Sequence, residues 1–182
     1  MASQTNPLAS LHTLVWTALL AALIAVGSFI QFPVASVPFT LQTYFVLLAG
    51  FALGPVFGPA AVLVYLAGGV AGLPIFAGGK AGLAHLAGPT GGFLIGFALC
   101  AACCGLGRPG KGRKGILSMA LAGLAGLAVL YVLGSGWLSH VLDKGFVTAF
   151  KAMLPFLAGD LAKLAVAIST RIFLANMRLL PA

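Results

Sequence analysis

Apolar residues in this chain run in long, nearly unbroken blocks rather than in the alternation of a half-buried strand or the stripe of a surface helix. Six blocks stand out, over about 11–32, 40–54, 58–72, 89–106, 116–134 and 153–174. About 20 apolar residues suffice to cross a bilayer as a helix, and a helix satisfies its own backbone there. The pattern therefore predicts an all-α polytopic membrane protein, with six transmembrane helices in one membrane domain over 1–182. The second and third blocks are short for a span. Pro33 and Pro38 bracket the first joint, and Gly54–Pro55–Val56–Phe57–Gly58–Pro59 is predicted as a tight turn.

Composition agrees. Of 182 residues, 61% are hydrophobic and 7% charged, against about 25% charged in soluble domains. The first charged side chain is Lys80. A net charge of +8 raises the question of nucleic acid, but the basic residues sit in joints and the tail, where they orient a membrane protein. No nucleic-acid partner is expected; the surrounding partner is lipid. The N-terminal residues lack the positive region of a cleavable signal.

Two acids stand in the whole chain, Asp143 and Asp160, and there is no glutamate. Asp160 lies in the last apolar block, with Lys163 one helical turn on and on the same face. A charge within a span costs about 2.5–3.5 kcal/mol on insertion scales and usually faces a bundle interior or cavity for a functional reason. An ion pair that only locks two helices is the alternative, although buried pairs stabilise poorly. Thr40, Gln42, Thr43 and Tyr44 cluster at the entrance of the second block. From 73 to 92 the chain is glycine-rich, with Gly78, Gly79 and Lys80 in one tight run; Thr90–Gly91–Gly92 could open a helix whose free N–H groups suit an anion or carbonyl. A flexible surface loop is the plainer reading of that stretch.

Other motifs carry less. Gly105 to Lys111 nearly matches a phosphate-binding loop, but Gly112 stands where Ser or Thr would meet magnesium, so the Arg108–Lys114 run reads as a cytoplasmic loop. Cys100 and Cys103 read as soft packing on a helix. Histidines 12, 85 and 140 lack ligand spacing, so neither metal nor cofactor is expected, and an enzyme is poorly supplied. Ala18, Ala22 and Ala25 give small-residue spacings, which by pattern alone usually mean internal packing.

With the basic loop inside, six spans put both termini in the cytoplasm, and the joints at 33–38, 73–88 and 136–151 share the outer side. Asp160 then lies about 10 Å deep, seven residues into its helix. Lys80 would stand outside against the charge rule, so an anionic ligand explains it better. What remains is a pocket for a small semi-polar molecule with N–H donors, a carbonyl and a carboxylate. A passive channel or facilitator for a small neutral solute is the competing reading.

The stretches Val37–Pro38–Phe39–Thr40–Leu41–Gln42–Thr43, Gly72–Leu73–Pro74–Ile75–Phe76–Ala77–Gly78–Gly79, Gly88–Pro89–Thr90–Gly91–Gly92–Phe93 and Gly159–Asp160–Leu161–Ala162–Lys163 resemble the BioY family, the biotin-specific S components of energy-coupling factor (ECF) transporters. The resemblance implies a six-helix cell-membrane protein that takes biotin from outside. It implies docking to a transmembrane coupling protein (T) and two ABC-type ATPases, with toppling in the bilayer. It turns Ala18, Ala22 and Ala25 into partner contacts. It assigns Asp160 to the ureido N–H groups, Lys163 to donating or holding Asp160, and Gly78, Gly79, Thr90, Gly91 and Gly92 to closing over the ligand. Lys80 is expected at the valerate carboxylate. Ala81 departs from the family pattern, where a further glycine is common, and the role of Lys80 is not covered by the motif.

Overall fold

The structure is a computed structural model that describes residues 7–32, 37–108, 110 and 112–181. The extreme N-terminal residues, most of the joint after Pro33, and Pro109 and Lys111 of the basic run lie outside the described residues.

Helix α1 (Pro7–Phe29) leads into a two-residue ribbon, β1 (Gln31–Phe32) antiparallel to β2 (Phe39–Thr40), with Gln31 opposite Thr40. The ribbon was not among the sequence expectations. It is tied to the end of α1 by the Leu41 N–H, which donates to the carbonyls of Gly27 and Ile30 at 3.2 and 3.0 Å.

Helix α2 (Gln42–Val70) is one element by hydrogen bonding but two limbs in space. Gly54 takes φ 79 and ψ −173, a combination open to glycine and strained for other residues. The expected six-residue turn is thus condensed into one residue, and the second limb resumes at once at Pro55. Proline suits a first helical position, where its missing N–H has no helical acceptor anyway. The limbs fold back: a Cβ on Gly58 would meet the Gly50 Cα at 2.8 Å, whereas eight residues of straight helix span about 12 Å.

After α2 come a short turn, α3 (Leu83–Leu86), then α4 (Gly91–Gly105), α5 (Arg113–Val141) and α6 (Phe146–Asn176). The two limbs of α2 pack against α1, α4 and α6, α4 against α5, and α5 against α6. The centre is the α2 hairpin. Of its eighteen most apolar residues, 56% are buried in protein, against 22% for α1, so α1 is the peripheral helix. Among the described residues four helices, α1, α2, α5 and α6, are long and apolar enough to cross a membrane, and α4 is a shorter apolar helix. Counting the limbs of α2 separately, the bundle is all-α with six principal helical segments.

The end of α5 and the start of α6 differ from the pattern reading. Helix α5 continues to Val141, beyond 134, because Ser135 and Trp137 turn inward rather than leaving the helix. A tryptophan just past the fifth apolar block reads by position as an interfacial anchor, but the Trp137 Nε1–H turns inward and donates to the Gly88 carbonyl at 2.9 Å. Helix α6 starts at Phe146 rather than near 153. Thr148 and Lys151 mask the amphipathic opening turns, in which Ala149 and Met153 are buried against Tyr131 and Leu138 of α5. Asp160 therefore lies fourteen residues along α6, about 21 Å from its start, rather than seven residues in.

Candidate functional site

The carboxylate of Asp160 is fixed at both oxygens. Its Oδ1 accepts from Lys163 Nζ at 2.8 Å, and its Oδ2 accepts from the Tyr131 hydroxyl of α5 at 2.9 Å. Lys163 also donates to the Thr40 carbonyl at 2.7 Å and stands 3.7 Å from the centroid of the Phe39 ring. The ammonium thus has a carboxylate, a carbonyl and a π-face, which together replace its lost hydration. Asp160 and Lys163 are 6% and 9% exposed. Each carboxylate oxygen keeps a free lone pair, since an ionised carboxylate offers about four acceptor positions and two are used.

These groups form one wall of a cavity of about 60 Å³. Thr40, Gln42 and Thr43 come from the β2–α2 junction, His85 and Thr90 from the α2–α4 segment, and Phe93, Phe97 and Phe156 give apolar walls. Thr40 Oγ1 and Gln42 Oε1 lie 3.3 Å apart, and Gln42 Nε2 donates to the Tyr65 hydroxyl at 2.7 Å. That bond joins the two limbs of α2. A second, outer hollow of about 490 Å³ shares Pro38, Ala77, His85 and Thr90 with the first and is bordered by Lys80. His85 stands at the junction. Burial, and then the nearby charge of Lys80, hold its imidazole below the usual pKa.

Comparison with known proteins places this architecture. Residues 1–178 match the BioY family. The chain belongs to that family. It is 43% identical over 152 residues to a probable biotin transporter BioY of Pyrococcus horikoshii, covering 83% of this chain and 88% of that one. It is 39% identical over 160 residues to the biotin transporter BioY of Thermotoga maritima, covering 86% and 92%. Among solved structures, the S-component for biotin from an ECF-type ABC transporter superposes with a TM-score of 0.87 at 26% identity, over 96% of this chain and 95% of that one. Like its BioY relatives, this is a multi-pass membrane protein, a transporter component and not an enzyme.

Within that frame, the sequence candidates separate. Thr40, Gln42, Thr43, Thr90, Asp160 and Lys163 meet at the cavity. Tyr44 faces elsewhere: its hydroxyl lies 3.0 Å from Thr170 Oγ1 on α6. Gly78 and Gly79 have φ of 76 and 70 and shape the turn that presents Lys80, without lining the cavity. Gly91 and Gly92 start α4 against Trp137, where a Cβ on either would collide with the indole or with neighbouring backbone. The Gly91 N–H is taken by Gly88, and those of Phe93 and Leu94 by Thr90, so most donors of this helix start are engaged locally. On α1, Ala18 and Ala22 are exposed and Ala25 is half-buried against the core. Cys100 and Cys104 are buried among apolar residues of the core.

Tyr131 and His85 were missed. Tyr131 is the lone hydroxyl-bearing aromatic of the fifth apolar block, and a buried carboxylate needs a donor from some neighbouring helix; that requirement was the available signal.

Proposed function

We propose that this chain captures biotin in the cavity between α2, α4, α5 and α6 as the S component of an ECF-type transporter. The observation that carries this is Asp160, held by Tyr131 and Lys163 with lone pairs to spare beside an aromatic-walled hollow. The ureido ring of biotin presents two N–H donors and a carbonyl, and its fused thioether ring is apolar. Asp160 accepts from the ureido N–H groups. Lys163 acts mainly through Asp160, being already committed to it and to the Thr40 carbonyl.

About 60 Å³ holds some four water molecules, less than a bicyclic head with a five-carbon acid chain. Binding therefore displaces the segment between α2 and α4, and the chain of the ligand extends into the outer hollow toward Lys80. That segment is the mobile candidate because its joints are Gly78, Gly79 and Gly82, all with positive φ.

Capture from the outer face, with both termini cytoplasmic, is the orientation that the basic Arg108, Arg113 and Lys114 support under the positive-inside rule, since they lie past the end of α4 remote from Thr90 and the cavity. Docking to the T protein and its two ABC-type ATPases would use the exposed Ala18 and Ala22 on α1, where a partner helix can approach closely.

The test is titration of the purified, ligand-free protein with labelled biotin. Saturable binding is expected, with at least a hundredfold loss in Asp160→Asn, since each hydrogen bond to a charged group contributes about 1.5–3 kcal/mol. Flux of a neutral solute into liposomes without saturable binding would instead favour a passive facilitator.

A further inference from the structure

The inner cavity and the outer hollow meet at a residue that no motif in the chain singles out. His85 borders both, together with Thr90. Its ring is not loosely placed. It stacks on Phe76 with centroids 5.1 Å apart and planes 22° apart, and Phe76 is fully buried under the edge of Tyr65, 5.6 Å away. Nε2 lies 3.3 Å from Thr90 Oγ1. Nδ1 has no hydrogen-bond partner among the described residues. Lys80 rests on the same base, since its N–H and carbonyl both bond the backbone of Phe76, at 3.3 and 2.9 Å. One rigid aromatic thus carries a lysine and a half-buried imidazole side by side at the mouth of the cavity.

Resting on the reading of biotin capture above, we propose that His85 and Lys80 together form a carboxylate subsite, and that an acid-ended ligand binds with uptake of a proton by His85. The subsite selects the free acid over an ester or amide of the same molecule.

The other ionisable groups facing this region do not compete for the role. Asp160, Lys163 and Tyr131 lie across the inner cavity, joined to one another by the bonds described, and the β2–α2 side contributes only the neutral Thr40, Gln42 and Thr43. In the free protein the imidazole is disfavoured as a cation by burial and then by Lys80. A carboxylate arriving between them offsets both effects and raises the imidazole pKa. A group whose pKa is higher in the complex strengthens binding at low pH and loses that contribution as pH rises through the bound value. The ligand's own carboxylate titrates at about 4–5, so the window opens above that range and closes as pH rises through the imidazole's raised value in the complex.

The experiment titrates the full-length, ligand-free protein with biotin and with biotin methyl ester at pH 5.5 and pH 8. Biotin should bind about three- to tenfold more tightly at pH 5.5, the ceiling for a rise of about one pKa unit. The ester should bind more weakly than the acid, with little change between the two pH values. His85→Gln should flatten the biotin profile while retaining saturable binding. Equal pH profiles for acid and ester in the parent protein overturn the subsite and leave biotin capture standing. Absence of saturable binding of either ligand at both pH values overturns the capture reading itself. An unchanged slope in His85→Gln assigns the proton elsewhere and overturns the role of His85.

Discussion

The floor of the cavity and its mouth each carry a lysine, and the two are used in opposite ways. Lys163 is 9% exposed and has an acid, a carbonyl and an aromatic face. Lys80 is exposed, and its ammonium has no partner among the described residues. A cation this deep persists only because the protein supplies a full replacement for water, so its effect on ligand passes through the groups it holds. A cation at the rim is hydrated and uncommitted, and it can answer a ligand's charge directly. Buried charge therefore builds the shape of the recognition surface, and exposed charge reads what arrives.

The comparison is broken most severely at the floor. Lys163→Met leaves Asp160 buried and unpaired, and thermal unfolding in detergent should show a loss of about 3–5 kcal/mol. Tyr131→Phe frees one oxygen of the same carboxylate. It should weaken biotin binding about tenfold, or about 1.4 kcal/mol, with a smaller effect on the melting temperature. At the mouth, Lys80→Gln should leave stability unchanged and weaken biotin about threefold, with no change for the methyl ester, in keeping with the modest strength of exposed charge pairs. Ala22→Trp on the peripheral helix should leave binding untouched while abolishing uptake by the assembled transporter, measured with labelled biotin in vesicles. An effect of Lys80→Gln as large as that of Lys163→Met would remove the distinction between floor and mouth.

The sequence announces the floor more clearly than the mouth, for physical reasons. Asp160 and Lys163 are conspicuous because charge is rare in an apolar block, and their separation by three residues puts them on one face. Thr40, Gln42 and Thr43 are conspicuous for the same reason. Gly54–Pro55 marks the reversal of α2, but not that one residue accomplishes it, because turn length depends on how closely Gly50 and Gly58 let the limbs approach. Tyr131 passes unnoticed because an aromatic residue in a span looks apolar until a carboxylate from another helix meets its hydroxyl. Trp137 looks like an interfacial anchor, since nothing local reveals the Gly88 carbonyl that it holds. The opening turns of α6 are hidden because Thr148 and Lys151 interrupt the run, although Ala149 and Met153 face inward. His85 is the extreme case: its setting is made entirely by Phe76, Thr90 and Lys80, brought beside it by the fold.

The reversal at Gly54 also bears on how the chain is made. Limbs of twelve and sixteen residues, about 18 and 24 Å long, are each shorter than the hydrocarbon layer of about 30 Å. Neither is a good candidate to be threaded across alone by the insertion machinery. They should partition together as a pre-paired hairpin, with Gln42 and Tyr65 already satisfying one another. A side chain at Gly54 would then act first on biogenesis, lowering the yield of inserted protein before any transport assay could register it.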